Sequence, residues 1–153
     1  MPHEPHVLQF TMDHAFSDVV HLGVAYILAL PIGWNREHEA RSAGIRTFPI
    51  VATACCGLTM IATSIQGSTP DTYSRILQGL VTGIGFIGGG AIIKDKGGVS
   101  GTATAASVWM IGIVGAAVGM GLYHIGIALA LLNYLTLRVL SPFKKEVPKP
   151  DGD

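Results

Sequence analysis

Four groups of side chains carry the chemistry available to this 153-residue chain. Arg36 and Arg46 are permanent cations whose forked donors suit phosphates and carboxylates. Asp18 and His21 are spaced i, i+3, so on a helix they share a face and can hold a proton or a metal ion, although an interfacial polar pair is the commoner use. Ser100, Thr102, Thr104 and Ser107 line an uncharged polar stretch. Their hydroxyls can cap a following helix or bond to neighbouring helices, and beside free N–H groups they can hold an anion. The fourth group is glycine: Gly79, Gly83, Gly85, Gly88, Gly89 and Gly90 crowd one segment, and Gly115 and Gly119 repeat the small-xxx-small spacing further on. Such spacing packs helices, or two protomers, closely together. Alternatively, Gly88–Gly90 breaks the helix and frees backbone groups to line a polar path. This is no phosphate-cradling loop, because no Gly-Lys-Ser/Thr follows and Lys94 comes after two isoleucines.

Other reactive side chains point away from catalysis. Cys55 and Cys56 are adjacent in apolar sequence and read as small packing residues. His3, His6 and His14 are too scattered for a metal site. No nucleophile, base and orienting group stand together, so the expectation is a non-enzyme without a cofactor.

The elements that position these groups follow from where charge is missing. Hydrophobic residues make up 49 % of the chain and charged residues 13 %, about half the usual charged share. The ten acids and ten bases cancel, leaving no basic excess for nucleic acid. Residues 97–137 contain no Asp, Glu, Lys or Arg, enough for two spans of about 20 residues and a tight turn. Three further apolar stretches, near Ala15–Gly33, Phe48–Ile65 and Ile76–Ile93, make five. The expected fold is all-α: an integral membrane bundle of five transmembrane helices over 15–140. An extracytoplasmic segment, 1–14, precedes it, and a disordered cytoplasmic tail, 141–153, follows.

Basic residues set the expected orientation. Arg36, Arg41, Arg46, Lys94, Lys96, Arg138, Lys144, Lys145 and Lys149 fall on one side of a five-span arrangement, against Arg75 on the other. The positive-inside rule then puts the N-terminus outside and the C-terminus in the cytoplasm. Met1–His14 lacks Lys and Arg, which argues against a cleaved signal peptide. Thr69-Pro70 reads as a helix start, and Thr47 with Pro49 as another. Glu37 and Arg41 are spaced i, i+4, so the first helix is expected to outrun the membrane until Gly44 stops it.

These residues resemble the membrane domain of the MgtC/SapB family. Gly33-Trp34-Asn35-Arg36 and Ala43-Gly44-Ile45-Arg46-Thr47 are similar to its first motif pair, Arg75 to Gly90 to its second block, and Gly101, Thr104, Ala105, Ala106 and Trp109 to its third. The resemblance covers roughly Gly23 to Leu140. It implies a five-helix bacterial inner-membrane protein whose relatives are linked to growth at low magnesium. Such proteins are often described as regulators that bind other membrane proteins. Departures are Asn35 where Glu is usual, Ser100 where Arg is common, and Thr102-Ala103 in the third motif. Only about a dozen residues follow the last span, so the soluble C-terminal domain of MgtC-type members is not expected.

The expected function is therefore regulation of ion homeostasis through contact with another membrane protein. A cytoplasmic face of Asn35, Arg36, Arg46, Thr47, Ser100, Thr102 and Thr104 would serve that contact, and the glycine-rich helices offer a route to a homo-oligomer. At Arg36 and Arg46 two readings stand: they snorkel to lipid phosphates, or they fix their loop against Asn35, Glu37 or the loop between spans three and four. The alternative function is a small transporter or channel for magnesium or another small solute, with its path between the glycine-rich spans three and four. No carboxylate is expected at mid-membrane to serve that path.

Overall fold

The computed structural model describes residues 12–39, 43–65, 70–95 and 98–141. Five helices and one short hairpin follow in order: α1 (Met12–Glu39), α2 (Thr47–Ser64), α3 (Pro70–Gly90), β1 (Ile93–Asp95), β2 (Gly98–Ser100), α4 (Thr102–Gly119) and α5 (Tyr123–Leu140). Four of the five helices, all but α3, are long and apolar enough to cross a membrane. Helix α3 has the length, with 21 residues, but Asp71, Arg75, Gln78 and its many glycines dilute its apolar content. The expected segments 1–11 and 142–153 lie outside the described residues, as do Arg41, Thr69 and the basic residues Lys96, Lys144, Lys145 and Lys149.

Helix α4 is the axis of the bundle and touches each of the other four helices. Its sequence explains why: Gly112, Gly115 and Gly119 are small enough to let neighbouring backbones approach. A Cβ at Gly112 would strike the Ile84 side chain on α3, and one at Gly115 would strike the Ala52 carbonyl on α2. In lipid, apolar side chains gain little from leaving their surroundings, so close van der Waals packing must carry more of the stability. The interior around α4 is dense accordingly, with Phe48, Ile32, Ile111, Val108, Val114 and Val118 fully buried.

The contacts also fix relative direction. Gly33 near the end of α1 meets Ile45 and Phe48 at the start of α2, so these helices run antiparallel. Gly88 and Ile84 of α3 meet Ala105 and Gly112 of α4, and Ser107 of α4 bonds to Asn133 of α5. Both pairs are antiparallel, whereas Gly115 and Gly119 of α4 lie on Ala52 and Cys56 of α2 in parallel. One end of the bundle therefore collects Arg36, Arg46, Lys94 and Arg138. Arg75 sits at the opposite end, paired with Asp71 at 2.9 Å.

Several local expectations need correction. Helix α3 starts at Pro70, as its sequence signals, but it runs unbroken through Gly90, so Gly88–Gly90 does not break it. Neither α2 nor α4 has a side-chain cap: α2 begins at Thr47 behind Arg46, and Gly101 stands at the N-cap of α4. The hydroxyls of Ser100, Thr102, Thr104 and Ser107 thus do not cap α4. Gly101 takes the position because its φ is +83° and a Cβ there would collide with the Ala91 carbonyl, a combination open only to glycine.

Candidate functional site

The basic end is built where α1 leaves the bundle and the chain turns into α2. Gly33 has Ile45 Cα 3.0 Å and Phe48 Cβ 3.3 Å from where a Cβ would stand, so the two helices meet almost backbone to backbone. This places Arg36 at the seam, where only 6 % of its surface stays exposed. Its guanidinium donates to Asn35 Oδ1 from Nη2 at 2.7 Å and from Nε at 3.2 Å. Glu37 closes the turn, its Oε2 accepting from the Ile45 N–H at 3.0 Å. The loop is thus held by Glu37, Asn35 holds the neighbouring guanidinium on α1, and Arg36 is buried where snorkelling would leave it exposed. Arg46 and Thr102 are exposed, Thr47 is half-buried, and Ser100 is exposed on the hairpin with its hydroxyl 3.5 Å from the Ile93 carbonyl.

Thr104 is 1 % exposed, and Ser107 and Asn133 are 3 % and 4 % exposed. Ser107 Oγ donates to Asn133 Oδ1 at 2.9 Å, and Asn133 Nδ2 lies 3.5 Å from the Ser107 carbonyl. This polar clamp joins α4 to α5. The sequence left Ser107 open between capping α4 and bonding to a neighbouring helix and left Asn133 unmarked, although a lone amide in a charge-free run is a signal for such a bond. Asn133→Leu removes the bond and leaves a buried hydroxyl short of a partner. We expect a loss of about 1 kcal/mol, read as a lower thermal midpoint in detergent, with Asn133→Gln losing part of it.

The glycines divide into two sets. Gly88, Gly115 and Gly119 pack against neighbouring backbone, whereas a Cβ at Gly79, Gly83, Gly85, Gly89 or Gly90 would meet nothing within 4 Å. The α3 stripe therefore does not pack spans three and four together, apart from Gly88 against Ala105. Gly79 and Gly83 instead line an open, apolar groove of about 420 Å³ between α2 and α3, with Ala54, Cys55, Leu58, Ile76, Leu80 and Ile84. Cys55 and Cys56 are free thiols in buried positions, and Cys56 Sγ lies 3.7 Å from Met60 Sδ.

Asp18 and His21 both lie on α1. His21 Nδ1 donates to the Ser17 carbonyl at 2.8 Å, and its ring lies 5.2 Å from that of Tyr123. Among the described residues no group of three or more His, Cys, Asp or Glu is placed to hold a metal ion.

Several long apolar helices packed around a glycine-lined axis define a multi-pass helical membrane protein. The motifs at its basic end and along α3 and α4 are those of one family. A model of the MgtC family matches residues 22–146, and the chain belongs to that family. It is 33 % identical over 134 residues to the protein SrpB of Synechococcus elongatus, covering 80 % of this chain and 72 % of SrpB. It is 33 % identical over 117 residues to the protein MgtC of Salmonella typhimurium, covering 76 % and 49 % of the two chains. Against the protein SapB of Bacillus subtilis the figures are 29 % over 126 residues, with 78 % and 54 % covered. The chain thus spans about half the length of MgtC and of SapB. No solved structure matches it significantly.

Proposed function

We propose that this protein is a non-enzymatic regulator in the bacterial inner membrane, linked to magnesium homeostasis, that acts by contact with another membrane protein. All five helices cross the bilayer in this reading, α3 included. The basic end faces the cytoplasm by the positive-inside rule, and residues 15–140 form the membrane domain. Family membership supports the setting. The observation that carries the regulatory reading is the interior itself. Its buried polar groups among the described residues are Arg36, Thr59, Thr104, Ser107 and Asn133, so the charge held inside is a cation at the basic end. No Asp or Glu is buried among the described residues, where a path for a divalent cation calls for carboxylates.

The groove between α2 and α3 supports the contact. It is open and apolar, its floor is Gly79 and Gly83, and α3 is the helix least able to stand alone in lipid. A transmembrane helix from a partner, or from a second copy, fits such a small-residue floor closely. A Cβ at Gly83 would meet nothing within 4 Å, so Gly83→Leu would extend into the open groove without displacing backbone. We expect it to leave the detergent stability unchanged and to reduce recovery of the partner from native membranes by tenfold or more; lost stability would place Gly83 in the fold instead.

Magnesium flux into proteoliposomes containing only this protein separates regulation from transport. The expected result is flux no greater than in empty vesicles, from protein shown to be folded, with a partner co-purifying from native membranes. Saturable flux would replace this reading with the transporter.

A further inference from the structure

The hairpin between α3 and α4 is the part of the fold that the preceding function leaves unused. Its register pairs Ile93 with Ser100, Lys94 with Val99 and Asp95 with Gly98. Directly paired residues share a face of the sheet and successive ones alternate. Ile93 and Ser100 therefore lie on one face, and Lys94 and Val99 on the other. Both faces carry an uncovered apolar side chain, Ile93 at 45 % and Val99 at 59 % exposed, and Ile92 just before the hairpin is 44 % exposed. A flat protein partner would cover one face and leave the other in water. A layer that surrounds the hairpin covers both.

The backbone sets how deep such a layer can be. A two-stranded ribbon leaves the outer N–H and C=O groups of each strand without ladder partners, and each such group costs several kcal/mol in hydrocarbon. The hairpin must therefore stay where water and phosphate oxygens reach those edges, in the headgroup layer. Its place in the fold agrees, since it joins the end of α3 to the start of α4, at the end of the bundle that also carries Arg46 and Arg138. Lys94 is exposed beside Val99, so a cation accompanies the apolar contact. Basic residues near an anionic leaflet are drawn to its phosphates.

We infer that the 93–100 hairpin is an interfacial anchor that docks into the anionic headgroup layer of the membrane, with Ile93 and Val99 in the upper acyl region and Lys94 on lipid phosphate. The inference rests on the membrane-spanning reading of the helices with the hairpin at the basic end. It gives the α3–α4 connection a lipid-contacting role distinct from the α2–α3 groove.

Spin labels test it. In a Cys55→Ala, Cys56→Ala background of the full chain, single cysteines replace Ile93, Val99 and, as a control on the exposed flank of α5, Leu131. Each labelled protein is reconstituted in vesicles of phosphatidylcholine with or without half phosphatidylglycerol. The labels at 93 and 99 are expected to favour oxygen over a water-soluble nickel reagent, at a depth shallower than Leu131. Lys94→Glu is expected to reduce that preference at least twofold in the anionic vesicles and to have little effect in the neutral ones. Labels at 93 and 99 that behave as in water, with Leu131 in lipid, would overturn the anchor alone. A label shielded from both reagents would indicate protein contact and overturn it as well. A water-exposed Leu131 would overturn the spanning reading beneath it.

Discussion

Valine at Gly115 is expected to abolish accumulation of folded protein in the membrane. A Cβ at that position would strike the Ala52 carbonyl oxygen, with its carbon at 2.9 Å and Ala52 Cα at 3.0 Å. The obstacle is helix backbone, which cannot move aside as a side-chain tip can. Overpacking in a well-packed core costs about 1–3 kcal/mol and occasionally more, and α2 on α4 is the most extensive helix pair in the bundle. Gly115→Ala should already lower the thermal midpoint in detergent, and Gly115→Val should leave little protein in the folded peak of a size-exclusion profile. Gly85→Ala is the matched control, since its Cβ would meet nothing within 4 Å. Equal stability of Gly115→Val and Gly85→Ala would show that α2 and α4 are not held by this approach.

The second large effect is expected at Arg36. Hydrogen bonds from a charged donor contribute about 1.5–3 kcal/mol, and the buried guanidinium also packs along its stem. Arg36→Ala should therefore lose both folded stability and function, scored as growth of a deletion strain complemented at low magnesium. Arg36→Lys should recover little, because a lysine ammonium cannot reproduce the forked contact through Nε and Nη2. Arg46→Ala is expected to behave differently. Arg46 is exposed, so its loss should spare the fold and reduce complementation through the partner or lipid surface alone. Full complementation by Arg36→Ala would remove the buried arginine from the functional site. An unchanged Arg46→Ala would make that residue an anchor only.

Together the two effects separate what holds the protein from what it presents. The bundle is held through α4, by glycines against backbone and by the Ser107–Asn133 clamp. It presents a basic end that holds Arg36, an open groove between α2 and α3 and an exposed hairpin.

Much of this was legible in the order of residues. A chain that must satisfy every backbone group inside lipid has helices as its simplest solution, and the charge-free run of 97–137 with three other apolar stretches counted those helices. Pro70 marked a helix start, and Arg36 with Arg46 marked the basic end. The small-xxx-small spacing, by contrast, marked Gly79, Gly83, Gly85 and Gly89 as strongly as Gly115 and Gly119, yet only the last two pack against neighbouring backbone. Spacing says that a helix has a smooth face; which way that face turns depends on every other helix. The same holds for Arg36, whose type and position suit snorkelling equally well until the close contact of Gly33 with Ile45 and Phe48 buries it. Asn133 acquired meaning only when α5 brought it beside Ser107, and the pairing of Ile93–Asp95 with Gly98–Ser100 came with the connection of α3 to α4. Membrane residence, helix count and charge asymmetry are properties of the chain against its solvent, which composition determines. Partner choice among glycines, burial of a charge and the facing of polar side chains depend on distances between segments far apart in sequence, which the tertiary packing alone decided.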